Sequence, residues 1–338
     1  MANVKNGRKK KIAKIVITIV ILIVASVLGI NVFPEYSNDI TNPSHSGNIS
    51  DTQSTQKPSS NSSTENPEGT LTLTMIDVGQ ADSFFFQQGD DTALVDCGTR
   101  SSGEDVVEYL KAQGITQIDY VFGTHPHDDH MGGMYDVITN FEIGKIIIPE
   151  IDPKHGTTNW YLKLVDEIAT GDYEVEFVEL GTVYTLGDAE MKVIGPISDP
   201  GDNKNNYSTV LKVSFGEMDV IMTGDAETQV EKDILESGEN IQAEILKLGH
   251  HGSDTSNSSE FLDEVNPIYA LISCGVGNKY EHPIKEIMQR LKERDIDVYR
   301  TDENGTVIVT ITPTELSFSC APGDYLSGPE LEERKGAK

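Results

Sequence analysis

The segment IDYVFGTHPHDDHMGGM, residues 118–134, decides how the rest of the chain is read. Its first half has the apolar, β-branched and aromatic composition of a buried strand, ended by Gly123 and Thr124. His125, His127, Asp128, Asp129 and His130 follow within six positions. Alternate side chains leaving a strand share a face, so His125 and His127 can meet one metal ion. The turn into a helix then presents Asp129 and His130 to a second position nearby. A lone histidine here would be a surface or capping residue, and Asp128 or Asp129 could cap the helix. Imidazoles and carboxylates packed this densely favour metal binding, with donors that suit two divalent cations.

The sequence on either side of this segment alternates between strands and helices. LTLTMIDV, DSFFFQQ and TALVDCG read as successive strands, GEDVVEYLKAQG as a helix with a Gly stop, YDVITNF as a helix and KIIIPE as a strand. TVLKVSF and DVIMTGD are strands, AETQVEKDILESG is a helix, and EILKLGHHGS is a strand ending in paired histidines. YALISCG, PIKEIMQRLKER and DVYRTDENGTVIVTIT close the series. Antiparallel runs interleaved with helices predict two packed sheets with helices outside. The tail from Ala321 to Lys338 has few apolar residues and is expected to be loose.

Six of the eight histidines fall in three short segments: the one above, the pair His250 and His251, and NKYEHP with His282. At this point THPHDDHMGG resembles the HxHxDH motif of the metallo-β-lactamase superfamily of hydrolases. More narrowly, MIDVGQADSFFF, LVDCG, NNYSTVLKVSF, MTGDAE, LKLGHHGS and YEHPIKEIMQRL followed by VYRTDENG resemble, in that order, the hydrolase domain of ComEC-type competence proteins. The resemblance covers Thr70 to Ser319. It implies an α+β fold, a four-layer αββα sandwich with a two-metal site between the sheets. His125 and His127 would hold one metal; Asp129, His130 and His250 the other; Asp225 would bridge them. His250 is preferred to His251 because it comes first after LKLG. Asp225 alone could instead cap the helix that follows. Asp82 and Asp96 would brace ligands by accepting imidazole N–H groups, or be ordinary turn aspartates.

Two departures bear on the metals, taken as zinc or manganese. The superfamily's middle histidine has no counterpart in DNKNNYSTV, where Asn205, Asn206 and Ser208 stand, so the first metal is short of a protein ligand. An Asp also stands where lactam-cleaving enzymes often use Cys, which broadens the metal choice and makes antibiotic hydrolysis an unsuitable reading. In the implied mechanism the cations lower the pKa of a shared water, Asp129 and Asp225 position it, and His251 or His282 assists the leaving group. His282 could instead be a loop histidine before the helix that Pro283 opens.

Charge and composition add the setting. Lys5, Arg8, Lys9, Lys10, Lys11 and Lys14 precede any acidic residue, and removing them leaves 20 basic against 55 acidic residues, net −35. Such a body argues against a general nucleic-acid coating protein. Residues 15–33, IVITIVILIVASVLGINVF, follow the basic cluster and match the roughly 30 Å hydrocarbon core of a bilayer. They predict a transmembrane signal anchor with residues 1–14 cytoplasmic and the rest outside, a cleaved secretory signal being the alternative. Residues 34–69 are rich in Ser, Thr, Asn, Pro and Gly and read as a disordered tether. Cys97, Cys274 and Cys320 form no CxxC pattern and read as bland thiols.

The expectation is therefore a membrane-anchored extracellular hydrolase of phosphodiesters, acting on DNA or a cell-surface polymer. One anchor cannot form a conduit, so DNA uptake would need a separate channel partner. Lys204, Lys212, Lys247, Lys279 and Arg300 lie near the motifs as possible phosphate contacts. Rival readings are a phosphorylcholine esterase-like enzyme, whose small substrate tolerates an acidic body better, and a non-catalytic wall-associated module that keeps metal only for structure. No GxGxxG or Walker loop follows a strand, so no nucleotide cofactor is expected. Oligomeric state is left open.

Overall fold

The antiparallel meander β1 (Leu71–Met75), β2 (Phe84–Gln88) and β3 (Asp91–Val95) opens the structure, a computed structural model that describes residues 68–152 and 154–336. Leu73 pairs with Phe86 and Met75 with Phe84, and these side chains face the same core as Ala93 and Val95. Phe85 and Leu94 point to the other face, which is also covered. Burial on both sides is why β2 and β3 carry apolar runs, whereas β1, LTLTM, keeps the alternation, with Leu71, Leu73 and Met75 in the inter-sheet core.

The chain continues through α1 (Gly103–Ala112), β4 (Gln117–Phe122), α2 (Asp128–Met131), α3 (Met134–Asn140) and β5 (Glu142–Ile148). Residues unassigned from sequence then form α4 (Asn159–Thr170), β6 (Val175–Phe177), β7 (Val183–Leu186) and β8 (Ala189–Gly195). Next come β9 (Val210–Phe215), β10 (Met218–Met222), α5 (Thr228–Ser237), β11 (Ile245–Lys247), α6 (Ser259–Val265) and β12 (Tyr269–Ile272). The last elements are α7 (Lys285–Glu293), β13 (Asp297–Arg300), α8 (Thr301–Asn304), β14 (Val307–Ile311), β15 (Leu316–Phe318) and α9 (Gly328–Gly336).

An eight-stranded sheet has the order β15-β14-β1-β2-β3-β4-β5-β6, and a seven-stranded sheet the order β13-β12-β11-β10-β9-β8-β7. Both are mixed: β3 to β6 run parallel, as do β10 to β13, while the remaining pairs are antiparallel. Side chains of both sheets meet in one core that joins Leu73, Phe84 and Phe122 to Leu211, Val213 and Met222. The outer face of the first sheet is covered by α1, α3 and α4, through Val106, Leu110, Val137 and Leu164 among others. That of the second is covered by α5, α6 and α7, through Val230, Phe261 and Ile287. The result is the four-layer αββα sandwich. Loops after β3, β4, β10, β11 and β12 supply the side chains described below, because parallel strands carry their carboxyl ends to one edge.

The tail is a point of difference. Residues 328–336 are helical, Leu331 is buried, and Arg300 donates to the Leu326 carbonyl, so a short apolar content was enough to dock the segment. Cys97, Cys274 and Cys320 are free thiols. The basic cluster, the apolar segment 15–33 and the tether up to residue 67 lie outside the described residues. Among the described residues no helix is long and apolar enough to cross a membrane.

Candidate metal centre

Asp225, in the loop after β10, lies between two donor groups. Its backbone N–H donates to Ser208 Oγ at 3.0 Å, which fixes the carboxylate between the sheets. Asp225 Oδ1 lies 3.2 Å from His130 Nε2 and 3.6 Å from His251 Nε2. Asp225 Oδ2 lies 3.7 Å from His125 Nε2. One donor group is Asp129, His130, Asp225 and His251, and another is His125, His127 and Asp225; within each, the donor atoms all lie within 4.8 Å of one another. Asp225 belongs to both.

Strand alternation does not bring His125 and His127 together. β4 ends at Phe122, and a tight turn, closed by His127 N–H donating to the His125 carbonyl at 2.9 Å, sets His125 Nε2 3.0 Å from His127 Nδ1. His127 is the residue before α2, which carries Asp129 and His130.

The adjacent histidines after β11 divide differently from the sequence-based preference. Both have left-handed backbones, with φ of 52° at His250 and 54° at His251. Non-glycine residues adopt that region rarely, so strand alternation cannot be carried past Lys247. His251 turns inward, is fully buried and joins the four-residue donor group. His250 stays partly exposed, 3.6 Å from Asp225 Oδ2, with Nδ1 held 2.9 Å from Thr255 Oγ1, and belongs to neither group.

Outer contacts orient the rings. His130 Nδ1 is 2.7 Å from Asp96 Oδ2, and the other oxygen of Asp96 accepts from Thr124 N–H at 2.8 Å. His251 Nδ1 is 2.8 Å from the Ser273 carbonyl and 3.2 Å from Asp82 Oδ1. His125 Nδ1 lies 3.2 Å from Ser208 Oγ and 3.1 Å from Thr124 Oγ1. Each arrangement occupies Nδ1 and leaves Nε2 toward the centre, as outer partners of a ligand imidazole do. Asp82 also takes Lys247 Nζ at 2.8 Å and the Ser273 hydroxyl.

A test of fit comes from atoms without partners. His130 Nε2, His251 Nε2 and Asp225 Oδ1 are buried and make no hydrogen bond of acceptable geometry, and all three belong to the same donor group. Buried polar atoms are rarely left unpaired. Three of them converging on one point fit a divalent cation with mixed nitrogen and oxygen donors.

Electrostatics separates the groups. Burial would lower the His130 and His251 pKa values, but Asp225 with Asp96 outweighs it at His130 and Asp225 with Asp82 at His251. His130 is held well above the ordinary histidine range and His251 is raised to about 10. Burial and the neighbouring His130 push His125 well down, and burial lowers His127. Burial alone would raise Asp225 and Asp129, yet the adjacent imidazoles hold both below the usual carboxylate range. The carboxylates thus favour the protonated imidazole at His130 and His251, while burial favours the neutral one at His125 and His127.

The remaining sequence-predicted residues lie around this centre. Asn205 and Asn203 donate to Glu227 at 2.8 and 2.7 Å, Asn206 Oδ1 accepts from Glu227 N–H at 3.2 Å, and Asn205 Oδ1 is buried without a partner. His282 lines the cavity beside His250 and His251, and burial with His251 lowers its pKa to about 4. Lys247, Lys212 and Arg300 are not substrate contacts. Each is buried and paired, with Asp82, Asp219 and Asp302 respectively. Lys247 was legible as an oddity, a lysine inside the apolar strand EILKL, where a charge needs a buried partner. Thr124 and Ser273 had no comparable signal.

A profile of the metallo-β-lactamase superfamily matches residues 76–276. This chain belongs to that superfamily. Within it, ComE operon protein 3 of Bacillus subtilis (strain 168) is 34% identical over 271 residues, 73% of this chain and 34% of that protein. Competence protein ComA of Neisseria gonorrhoeae is 30% identical over 243 residues, 71% of this chain and 32% of that protein. These relatives are ComEC-type competence proteins, and the chain spans about a third of their length. Among solved structures, CmlA, a diiron β-hydroxylase from Streptomyces venezuelae, aligns with a TM-score of 0.50 at 16% identity, over 73% of this chain and 55% of that one. That likeness speaks for the fold alone. A superfamily domain with this donor cluster is that of a metal-dependent hydrolase.

Proposed function

We propose that the protein is a two-metal phosphodiesterase of nuclease type, anchored in the cell membrane by residues 15–33 with its hydrolase domain outside. The observation that carries the chemistry is the convergence of unpaired His130 Nε2, His251 Nε2 and Asp225 Oδ1 beside a second group that shares Asp225. In this reading His125, His127 and Asp225 would hold one divalent ion, manganese or zinc, and Asp129, His130, Asp225 and His251 would hold the other. His251 takes the place first considered for His250. Such a pair supplies Lewis acidity at the phosphoryl oxygens and an activated water at neutral pH.

The chain's own residues do the rest. Asp96 and Asp82 keep the imidazoles turned inward, Asp225 holds the two groups in register, and Glu227 pins Asn205 at the cavity wall. His250 and His282 flank the opening, where neutral imidazoles can donate an N–H hydrogen bond to a phosphoryl oxyanion or accept a proton from an attacking water. The names of the curated relatives support DNA as substrate, and the basic cluster before the apolar segment supports an outward-facing domain. A role in DNA uptake would rest on a separate channel.

The test loads the whole chain separately with manganese and zinc, and assays bis-p-nitrophenyl phosphate and single- and double-stranded DNA. Metal-dependent turnover should fall at least about 100-fold in Asp225→Asn while the protein stays folded by circular dichroism. Turnover of the small diester with no DNA cleavage would move the substrate to a cell-surface diester, and silence on all of them would end the enzymatic reading.

A further inference from the structure

Two cavities meet at Tyr280. The larger, about 390 Å³, lies over the donor groups between His127, Asp225, His251 and His282. The smaller, about 300 Å³, continues past them along Thr99, Asn278 and Lys279. Gln80, Asp128, Asp129 and Tyr280 line both, so the cleft extends well beyond the metal centre. A single small diester would need only the first part. A chain of linked units fills both.

Tyr280 is 51% exposed in a turn held by hydrogen bonds. Its backbone N–H donates to Asn278 Oδ1, and Asn278 also grips the Gly275 and His282 carbonyls, which locks the turn. The phenol ring stacks on the His282 imidazole, with centroids 5.7 Å apart and planes at 26°. Lys279, exposed, places Nζ 4.8 Å from the ring centroid. About half of the Tyr280 surface stays open to a planar group, with the Lys279 ammonium within reach of an adjoining phosphate. Aromatic platform and cation side by side are what single-stranded nucleic acid uses for binding without sequence preference. A duplex keeps its bases stacked inside and cannot use the ring.

We propose that Tyr280 is the stacking platform for an unpaired base next to the scissile phosphodiester, which makes single-stranded nucleic acid the substrate form. This rests on the phosphodiesterase reading of the same site. The test measures binding of two labelled strands of equal length, one of ordinary DNA and one abasic, to the whole 338-residue chain with manganese present. Asp225→Asn is the background throughout, so that nothing is cleaved. Adding Tyr280→Ala should weaken the ordinary strand about 10-fold, Tyr280→Phe should keep its affinity, and the abasic strand should bind all three proteins alike. Equal weakening of both strands would assign the ring to sugar or phosphate contacts, as a cell-surface polymer would use it, and overturn the proposal. So would no change on Tyr280→Ala. Turnover of bis-p-nitrophenyl phosphate by the unmodified chain reports separately on the diesterase reading.

Discussion

Lys247 is a charge carried into the protein interior for the sake of one aspartate. Its ammonium is fully buried, 2.8 Å from Asp82 Oδ2, and also donates to the Leu248 carbonyl at 2.8 Å. Asp82 in turn faces Nδ1 of both His251 and His130. Burial would raise the Asp82 pKa, but Lys247 and the two imidazoles hold it below the usual carboxylate range, so the charged form persists. Lys247→Met should therefore cost about 3–5 kcal/mol, because it strands a buried carboxylate. Lys247→Met combined with Asp82→Asn should cost clearly less than the two single changes added together, since the pair is removed as a unit. Urea unfolding of the four proteins decides it; additive costs would mean that Asp82 draws its stability from elsewhere. The same neighbourhood shows what one residue reveals in sequence. The family resemblance left Asp82 and Asp96 as either imidazole partners or turn aspartates, and in the structure each lies against a histidine Nδ1. Which of two adjacent histidines turns inward is set by two left-handed φ values, and no pattern of apolar residues encodes those.

At the level of elements, α2 and α3 hold the HPHDDH side chains in place through a junction at Gly133. Cys97 N–H donates to the His130 carbonyl at 2.7 Å, and Gly133 N–H to the Gly98 carbonyl at 3.1 Å. A Cβ on Gly133 would lie 2.1 Å from the Cys97 carbonyl oxygen and 2.7 Å from Gly103 Cα, both backbone atoms that cannot step aside. The glycine is thus the point where the start of α3, the loop after β3 and the start of α1 press together. Gly133→Ala should cost roughly 1–3 kcal/mol by overpacking. Because the same junction carries the His130 carbonyl, manganese binding by calorimetry should weaken with it; a normal melting temperature and normal metal affinity would show that the junction yields freely. Element type was readable where apolar residues run together, as in β4 and β9, or recur at helical spacing, as in α5, and two packed sheets with helices outside follow from them. Residues 159–195 were harder. β6 and β7 are only three and four residues long, too short to display a period of their own, and their placement depends on pairing with β5 and β8.

For the molecule as a whole, the carboxyl-terminal segment links overall stability to the mouth of the cleft. Few apolar residues in 321–338 suggested a loose tail, yet one well-placed leucine and several ion pairs suffice to dock it. Leu331 is buried, Arg334 pairs with Glu303 and Asp324, and Glu330 pairs with Lys285 at the start of α7. Gly328 N–H donates to the Pro283 carbonyl at 3.0 Å, and a Cβ there would meet the His282 carbonyl at 2.4 Å. The tail thus backs the turn that carries Tyr280 and His282. Deleting residues 321–338 would expose Leu331's pocket and leave the Arg300 guanidinium without the Leu326 carbonyl. Loss of the leucine's burial alone costs about 1.5–3 kcal/mol, which in a domain of this size lowers Tm by about 2–4 °C per kcal/mol. The more telling readout is local. Amide exchange across residues 278–283 should speed up on deletion, while exchange in β1 to β4 stays slow, because those strands make none of these contacts. If stability falls but the 278–283 amides keep their protection, the helix is only a cover over Arg300, and the cleft owes its shape to Asn278 alone.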